Sequence, residues 1–288
     1  MKNYRLIVTA IIAIGIILIG TSNPATNFYK TTNLIGNGIN QNQDLKDESH
    51  KNNSKDKKIE DNKIENNQRN DNKEKKEVEK KFLICIDPGH QEKGNSSLEP
   101  IGPDSPNKKA KVSSGATGVA TKKPEYILNL EASTVLKHIL EGKGYEVIMT
   151  RETNNVDISN AQRAILANDK NADMVIRIHG DSIDNSSKTG ASILIPEEGG
   201  KYTQAIFDKS DKCASLVSKK MKDAGINVNG IFQRGDLTGF NWSKVPVILI
   251  EMGFLSNYNE DLMLSNPDYQ RKLMQSVADG VEEYLNTK

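Results

Sequence analysis

Three side chains that can bind a metal or transfer a proton stand close behind apolar runs of the 288-residue chain. They are His90, His179 and Glu251, which follow the runs at 82–86, 174–178 and 245–250, respectively. A charged side chain at the end of a buried strand costs free energy unless it is paired or binds a metal. In open α/β sheets, sites form outside the carboxyl ends of the strands, so we expect the three side chains to converge. Two imidazoles with carboxylates are a typical ligand set for Zn²⁺.

We predict that the third ligand is Glu125, which opens a helical pattern and points to the same edge. Glu131 is the rival, but six residues at about 100° each place its side chain about 240° around the helix. A set of His90, Glu125 and His179 leaves a fourth position for water, and Glu251 would act as the base. The spacing therefore indicates a single-zinc hydrolase. The alternative is that His179 and Glu251 are hydrogen-bonded structural groups at strand ends.

The elements that must position these residues alternate between two periodicities. Apolar runs rich in β-branched residues predict strands, and stripes of apolar residues at helical spacing predict the helices. The strands are predicted at 82–86, 145–150, 174–178, 191–195 and 245–250, and the helices at 125–142, 159–171, 210–224 and 267–285. This alternation predicts an α/β domain built on a mostly parallel sheet. We expect one catalytic domain at 81–288.

A long segment rich in Gly, Pro, Ser and Lys connects His90 to Pro124. It exceeds the usual loop length, and such loops are lids, binding loops or disordered segments. Because it begins directly after His90, we take lining of the site as one of two open alternatives.

The first 80 residues have a different character. Lys2 and Arg5 precede an apolar run at 6–20, which predicts a signal peptide or membrane anchor at 1–22. No clean cleavage motif follows, so both alternatives stay open. Residues 23–80 are mostly polar and charged without periodicity, which predicts a disordered linker. The net charge of +1 gives no reason to expect a nucleic-acid partner.

The two cysteines do not form a metal site by their number or spacing. An exported chain could join Cys85 to Cys213. However, Cys85 lies in a predicted strand and Cys213 on an apolar helical stripe, so we favour two separate buried thiols.

Four motifs in this order resemble a known enzyme family. They are Ile-Asp-Pro-Gly-His at 86–90, Glu125 followed by Asn129, Arg-Ile-His at 177–179, and Pro-Val-Ile-Leu-Ile-Glu-Met-Gly-Phe-Leu-Ser-Asn at 246–257. Together they resemble the zinc-dependent N-acetylmuramoyl-L-alanine amidases of the Amidase_3 family, especially the autolysin and sporulation amidases of Gram-positive bacteria.

The resemblance implies a fold, a reaction and a set of site residues. The expected fold is a twisted, mostly parallel six-stranded sheet flanked by helices. The expected reaction is zinc-dependent hydrolysis of the amide between N-acetylmuramic acid and L-alanine in peptidoglycan. His90, Glu125 and His179 match the family's zinc ligands, and Glu251 matches its catalytic glutamate. The expected location is extracytoplasmic, either membrane-anchored through an uncleaved N-terminal segment or secreted to the cell wall, with the domain acting as a monomer.

The chain also departs from the family pattern. Gly180-Asp181 stands where the family has Ala-Asn, and Gln91-Glu92 stands where it has Gly-Gly. Two rival functions stay open beside the amidase: a catalytically idle peptidoglycan-binding protein, and a zinc peptidase that acts on the peptide stem. An activating partner is not identified by the sequence.

Three further residues have two open interpretations each. Arg163 and Arg177 could contact peptide carboxylates or could be structural. Trp242 could form a wall of the substrate groove or could pack in the core.

Overall fold

The computed structural model describes residues 81–287 of the chain. The predicted N-terminal segment at 1–22 and the predicted linker at 23–80 lie outside the described residues. Within the described range, none of the helices combines the length and apolar character that crossing a membrane requires.

Eight strands and six helices make up this part of the chain. The strands are β1 (Leu83–Pro88), β2 (Asn95–Pro100), β3 (Lys108–Val112), β4 (Glu146–Met149), β5 (Met174–Asp181), β6 (Ala191–Pro196), β7 (Val228–Arg234) and β8 (Val247–Phe254). The helices are α1 (Glu125–Gly142), α2 (Asn160–Asp169), α3 (Phe207–Asp223), α4 (Thr238–Asn241), α5 (Tyr258–Leu264) and α6 (Pro267–Leu285).

Six of the strands form the central sheet, in the order β4-β1-β5-β8-β6-β7. All neighbouring pairs are parallel except β6 and β8, which run antiparallel. The prediction of an α/β domain with a mostly parallel, six-stranded sheet is confirmed. Because β1, β5 and β8 are adjacent and parallel, their carboxyl ends lie side by side at one edge.

Side chains of each strand alternate between two cores, one on each face of the sheet. On β1, Ile84 and Ile86 pack into the larger core with α1, α3 and α6, whereas Cys85 packs into the smaller core with residues of α2 and α4. Cys213 of α3 belongs to the larger core. The cysteines therefore lie on opposite faces of the sheet, and both are buried and not joined in a disulfide, as predicted.

The sequence did not predict β2, β3, β7, α4 or α5. For β7 and α5 the reason is a weak local signal. The edge strand β7 mixes polar residues with Gly230 and is only half-buried, so it lacks an apolar run. Helix α5 has seven residues and is too short for a clear apolar stripe; it depends on the Asn257 side chain, which accepts hydrogen bonds from two backbone N–H groups at its start. Helix α3 begins three residues before the predicted position 210.

The long segment after His90 is ordered. It forms an antiparallel hairpin of β2 and β3. The hairpin is attached to the domain at separate points: the Trp242 indole donates to the Pro100 carbonyl at 2.9 Å, and the Asn160 amide donates to the Lys111 carbonyl at 2.9 Å. The disordered alternative for this segment is therefore wrong, and Trp242 is a hairpin contact.

Candidate active site

The structure brings His90, Glu125 and His179 together at the carboxyl edge of the sheet. His90 Nε2 lies 3.1 Å from Glu125 Oε1, and His179 Nδ1 lies 3.3 Å from the same oxygen. One ligand atom from each residue falls within 4.8 Å of the others. The rival Glu131 is elsewhere, because its carboxylate pairs with Lys123 at 2.6 Å. The predicted helical direction of Glu125 is thus the one observed.

His90 is oriented by a strained turn and by a backbone carbonyl. Its φ is 60°, in the left-handed region that non-glycine residues seldom adopt. Its Nδ1 lies 3.0 Å from the carbonyl oxygen and 3.0 Å from the hydroxyl of Ser113. The carbonyl can only accept, so its hydrogen bond corresponds to the tautomer with the proton on Nδ1. The Nε2 lone pair is then free to bind a cation, since a metal-binding histidine usually donates its other ring N–H to a carbonyl or carboxylate oxygen. Gly89 is required here, because a Cβ at that position would overlap the ring of His179.

Three hydrogen-bond donors outside the two histidines hold the Glu125 carboxylate. Its Oε2 accepts from the Ala116 N–H at 2.8 Å, and its Oε1 accepts from the Asn129 amide at 3.1 Å and the Gly180 N–H at 3.2 Å. Burial by itself raises the pKa of Glu125, but its contacts with His179 and His90 outweigh burial and hold the pKa below its usual range. The carboxyl is therefore a charged, fixed acceptor.

His179 and Glu251 are direct neighbours on β5 and β8 in the parallel register. Burial lowers the pKa of His179 to about 4, so the imidazole is neutral at pH 7. Burial raises the pKa of Glu251, and the negative charges of Glu125 and Asp181 raise it further. A cation held beside it would favour the charged carboxylate again.

Two buried atoms at this edge have no hydrogen-bond partner in the described part of the chain: His179 Nε2 and Glu251 Oε2. Buried polar atoms are normally satisfied, because an unsatisfied one costs about 1–3 kcal/mol. Two neutral imidazole nitrogens and a fixed carboxylate are also the donors that Zn²⁺ prefers. The residues present therefore fit a divalent metal bound to His90, Glu125 and His179, with Glu251 beside it.

A cleft of about 240 Å³ opens beside these residues. Its walls come from the hairpin, from α2 and α4, from the end of β7 and from the sheet. The residues that line it include His90, Lys109, Arg177, Arg234, Asp236 and Gly239. The hairpin thus lines the site, which was the other alternative for the segment after His90.

A network beneath the cleft was missed by the sequence analysis. The Asp87 carboxylate binds Arg163 through Oδ1 and Arg177 through Oδ2, each at 2.8 Å, and also accepts from the Thr150 hydroxyl at 2.5 Å. Sequence patterns identify Asp87 only as part of the Ile-Asp-Pro-Gly-His motif at 86–90. Its side chain faces the sheet side opposite to Ile86, and a carboxylate on a buried strand was the available signal for a buried ion cluster.

The two departures from the family pattern have structural explanations. Gln91 is buried and accepts from the Ile158 N–H at 3.1 Å and from Arg163 at 3.1 Å, so it ties the turn to the start of α2. Asp181 is half-buried, and its Oδ1 accepts from the Ser182 N–H at 2.7 Å. Burial raises the pKa of Asp181, and the charge of Glu125 adds to this effect.

Relatives with known structures share this fold. The amidase Ami1 of Mycobacterium smegmatis is 20% identical, covers 72% of this chain and 98% of its own, and superposes with a TM-score of 0.66. An N-acetylmuramoyl-L-alanine amidase of Clostridium difficile 630 is 26% identical, with 72% and 98% coverage and a TM-score of 0.59.

Proteins that are similar in sequence are also named amidases. The germination-specific N-acetylmuramoyl-L-alanine amidase of Bacillus subtilis is 28% identical over 223 residues, which covers 72% of this chain and 81% of that protein. The probable cell wall amidase LytH of Staphylococcus epidermidis is 23% identical over 206 residues and 71% of this chain, but the match spans only 58% of its own length. The family model described as N-acetylmuramoyl-L-alanine amidase matches residues 84–283. The chain therefore belongs to the Amidase_3 family of N-acetylmuramoyl-L-alanine amidases.

Proposed function

We propose that this protein hydrolyses the amide bond between N-acetylmuramic acid and L-alanine in peptidoglycan, with Zn²⁺ as cofactor. One observation carries the proposal: His90, Glu125 and His179 offer three ligand atoms within 4.8 Å of one another, and Glu251 stands next to His179 in the same cleft. This arrangement supplies metal ligands and a proton acceptor at one point. The proposal assigns His90, Glu125 and His179 to the metal and Glu251 to the chemistry.

In this assignment each ligand is oriented before any metal arrives. The Ser113 carbonyl sets the proton of His90 on Nδ1, and the Ala116 and Gly180 N–H groups hold the Glu125 carboxylate. When bound, Zn²⁺ supplies Lewis acidity, which polarises an amide carbonyl and makes water acidic enough to attack at neutral pH.

Glu251 would carry the proton between the two reacting groups. Its Oε2 is buried without a hydrogen-bond partner in the described residues, so it is available to accept a proton from the attacking water. The same oxygen then returns that proton to the leaving nitrogen as the carbon–nitrogen bond breaks. The products are a free lactyl carboxylate on the glycan and a free amino terminus on L-alanine.

We propose an extracytoplasmic site of action, since the relatives include proteins named cell wall amidases. The apolar segment at 1–22 would export the chain or anchor it, and residues 23–80 would serve as a linker. We propose that the domain acts as a monomer. The CwlD amidase of Clostridioides difficile has been solved in complex with the GerS lipoprotein, so a protein partner is also to be tested for this chain.

The proposal is tested by digestion of purified peptidoglycan with the full chain, following new amino-terminal alanine by mass spectrometry. We expect release that stops with a chelator and returns with Zn²⁺. We expect Glu251→Gln to lower the rate about 100-fold or more while its zinc content stays unchanged. Glu131→Gln is the matched control, because Glu131 lies outside the cleft and pairs with Lys123.

The two rivals give different results in this assay. A binding protein would sediment with the polymer and hold zinc but release no alanine. A stem peptidase would produce new amino termini inside the stem while the bond to muramic acid stayed intact. Wild-type rates in Glu251→Gln would remove Glu251 from the mechanism, and unchanged zinc content in His179→Ala would remove the proposed ligand set.

A further inference from the structure

The cationic side chains that line the cleft outnumber the carboxylates that line it. Lys109, Arg177 and Arg234 line it, together with Asp236 and Glu251. Asp236 already pairs with Lys109 and with Arg234, each at 2.7 Å. Lys109 and Arg234 therefore share the Asp236 carboxylate at the rim of the cleft. The third cation, Arg177, lies on the floor of the cleft and pairs with the buried Asp87.

Arg163 and Arg177 share Asp87, but they differ in how many of their donors are used. Arg163 has all three guanidinium nitrogens engaged: Nε on the Ile158 carbonyl, Nη1 on Asp87 and the Pro88 carbonyl, and Nη2 on the His90 carbonyl and Gln91. It is buried and does not line the cleft. Arg163 is therefore a structural residue that supports the turn before His90.

Arg177 keeps one nitrogen unused. Its Nε donates to Asp87 at 2.8 Å and its Nη2 donates to Asn160 at 2.9 Å. Its Nη1 makes no hydrogen bond within the described residues and lies against Gly239, where a Cβ would overlap it. Both Arg177 and Gly239 line the cleft. The structure therefore presents a fixed guanidinium with a free pair of N–H donors at the cleft floor.

The position of Arg177 relative to the candidate metal ligands sets a length. Arg177 and His179 are two residues apart on β5, so their side chains project from the same face of the sheet, about 7 Å apart along the strand. An extended peptide advances about 3.3–3.6 Å per residue. A substrate whose scissile amide lies beside His179 would thus place its next one or two residues over Arg177.

We propose that Arg177 is a specificity-determining residue that binds a carboxylate of the peptide, carried by the residue that follows the alanine of the scissile bond. A guanidinium suits this role because its planar pair of N–H donors matches the two oxygens of a carboxylate. Asp87 and Asn160 hold the group in place, so little rotamer freedom is lost when the substrate binds. This inference rests on the proposed amidase function and adds a requirement on the substrate.

The test compares two soluble muramoyl tripeptides with amidated C-termini. They differ only in the second peptide residue, which is joined to the third residue through its side-chain carboxyl and carries either a free α-carboxylate or an α-carboxamide. For the wild-type protein loaded with zinc, we expect the carboxylate substrate to have a kcat/KM about 10- to 100-fold higher, as for a hydrogen bond to a charged group. No variant is needed for this step, so folding does not affect its outcome.

Two variants then assign the preference to Arg177. Arg177→Gln removes the charge, and Gly239→Ala leaves Arg177 in the sequence but places a methyl group where Nη1 now lies. Both are expected to reduce the preference to about threefold or less, mainly by slowing the carboxylate substrate. Lys108→Gln is the matched control, since Lys108 is exposed on the same hairpin and does not line the cleft. It should keep the wild-type preference.

A binding measurement separates this inference from the amidase proposal. In the Glu251→Gln background, calorimetry should show tighter binding of the carboxylate tripeptide than of the carboxamide. Equal binding and equal cleavage of the two tripeptides by the wild type would overturn the inference while leaving the amidase proposal standing. Carboxylate-dependent binding without cleavage by the wild type would support Arg177 as the anion-binding group and overturn the amidase proposal. An unchanged preference in both Arg177→Gln and Gly239→Ala would assign the carboxylate to another residue.

Discussion

Asp87 and Asp236 each bind two cationic side chains, one beneath the candidate site and the other at its rim. The distances are nearly equal: Asp87 lies 2.8 Å from Arg163 and Arg177, and Asp236 lies 2.7 Å from Lys109 and Arg234. The environments are not. The Asp87 side chain is 1% exposed, whereas that of Asp236 is 48% exposed.

This difference decides what each cluster does. In water, the attraction between two charges is screened and offset by the side-chain entropy needed to hold them, so an exposed pair contributes about 0–1 kcal/mol. In the interior, the attraction is strong, but loss of one partner leaves a buried charge uncompensated. The Asp87 cluster therefore fixes the geometry beneath the candidate metal ligands. The Asp236 cluster holds the hairpin to the end of β7 with little net stabilisation.

The largest expected effect follows from removal of the buried carboxylate. Asp87→Ala should lower the free energy of unfolding by about 3–5 kcal/mol, because Arg163 and Arg177 then face each other without a counter-charge. Denaturant unfolding followed by circular dichroism measures the change. A loss of less than about 1 kcal/mol in Asp87→Ala would contradict the conclusion that the buried Asp87 cluster stabilises the fold more than the exposed Asp236 cluster does.

Acid should act on the same cluster in a defined direction. Burial alone raises the pKa of Asp87, but the charges of Arg163 and Arg177 outweigh burial and hold the pKa far below its usual range. A depressed pKa in the folded state contributes stability above the pKa of the unfolded chain, about 3.9, and this contribution is lost as the pH falls below it. We expect the urea midpoint to fall steeply between about pH 5 and pH 2.

The control for the acid effect is the same titration in two variants. Asp87→Asn should start lower and lose less stability over that pH range, since it lacks the titrating group. The pKa of Asp236 is also depressed, by its hydrogen bond to Arg234 and by Lys109, but its exposure screens the effect. Asp236→Asn should therefore keep the wild-type acid slope. Equal slopes in all three proteins would contradict a special role for Asp87.

The smallest expected effect is at the rim. Lys109→Ala should lower the free energy of unfolding by less than about 1 kcal/mol, and the difference from wild type should shrink in about 1 M salt, where exposed charges are screened. Thermal unfolding at low and high salt measures both quantities. A loss above about 2 kcal/mol that persists in salt would show that the hairpin contact is energetically coupled to the core.

Local sequence patterns predicted where the reactive side chains gather. The convergence of His90, His179 and Glu251 followed from the position of each behind an apolar run, and the choice of Glu125 over Glu131 followed from helix geometry. The structure brings these three residues and Glu125 together and places Glu131 outside the cleft. Their roles as metal ligands and base remain the proposal made above.

Local sequence patterns do not reveal a role that depends on partners distant in the chain. Arg163 and Arg177 received the same two interpretations, because a helical arginine and a strand arginine carry no local sign of their partners. The structure separates them: their contacts to Asp87 span 76 and 90 residues, and only Arg177 keeps a nitrogen free at the cleft. Likewise, the ordered hairpin depends on Trp242, which is 142 residues from the Pro100 carbonyl that it binds.

By itself, the sequence determined the fold class, the mostly parallel sheet and the edge at which the reactive side chains gather. Hydrophobic periodicity and turn residues act over a few neighbours, and the chain displays them directly. Only the tertiary structure decided the strand order, the ordered hairpin over the cleft and the different environments of Asp87 and Asp236. Burial decides the strength of an ion pair, and burial is set by what the rest of the chain packs around it.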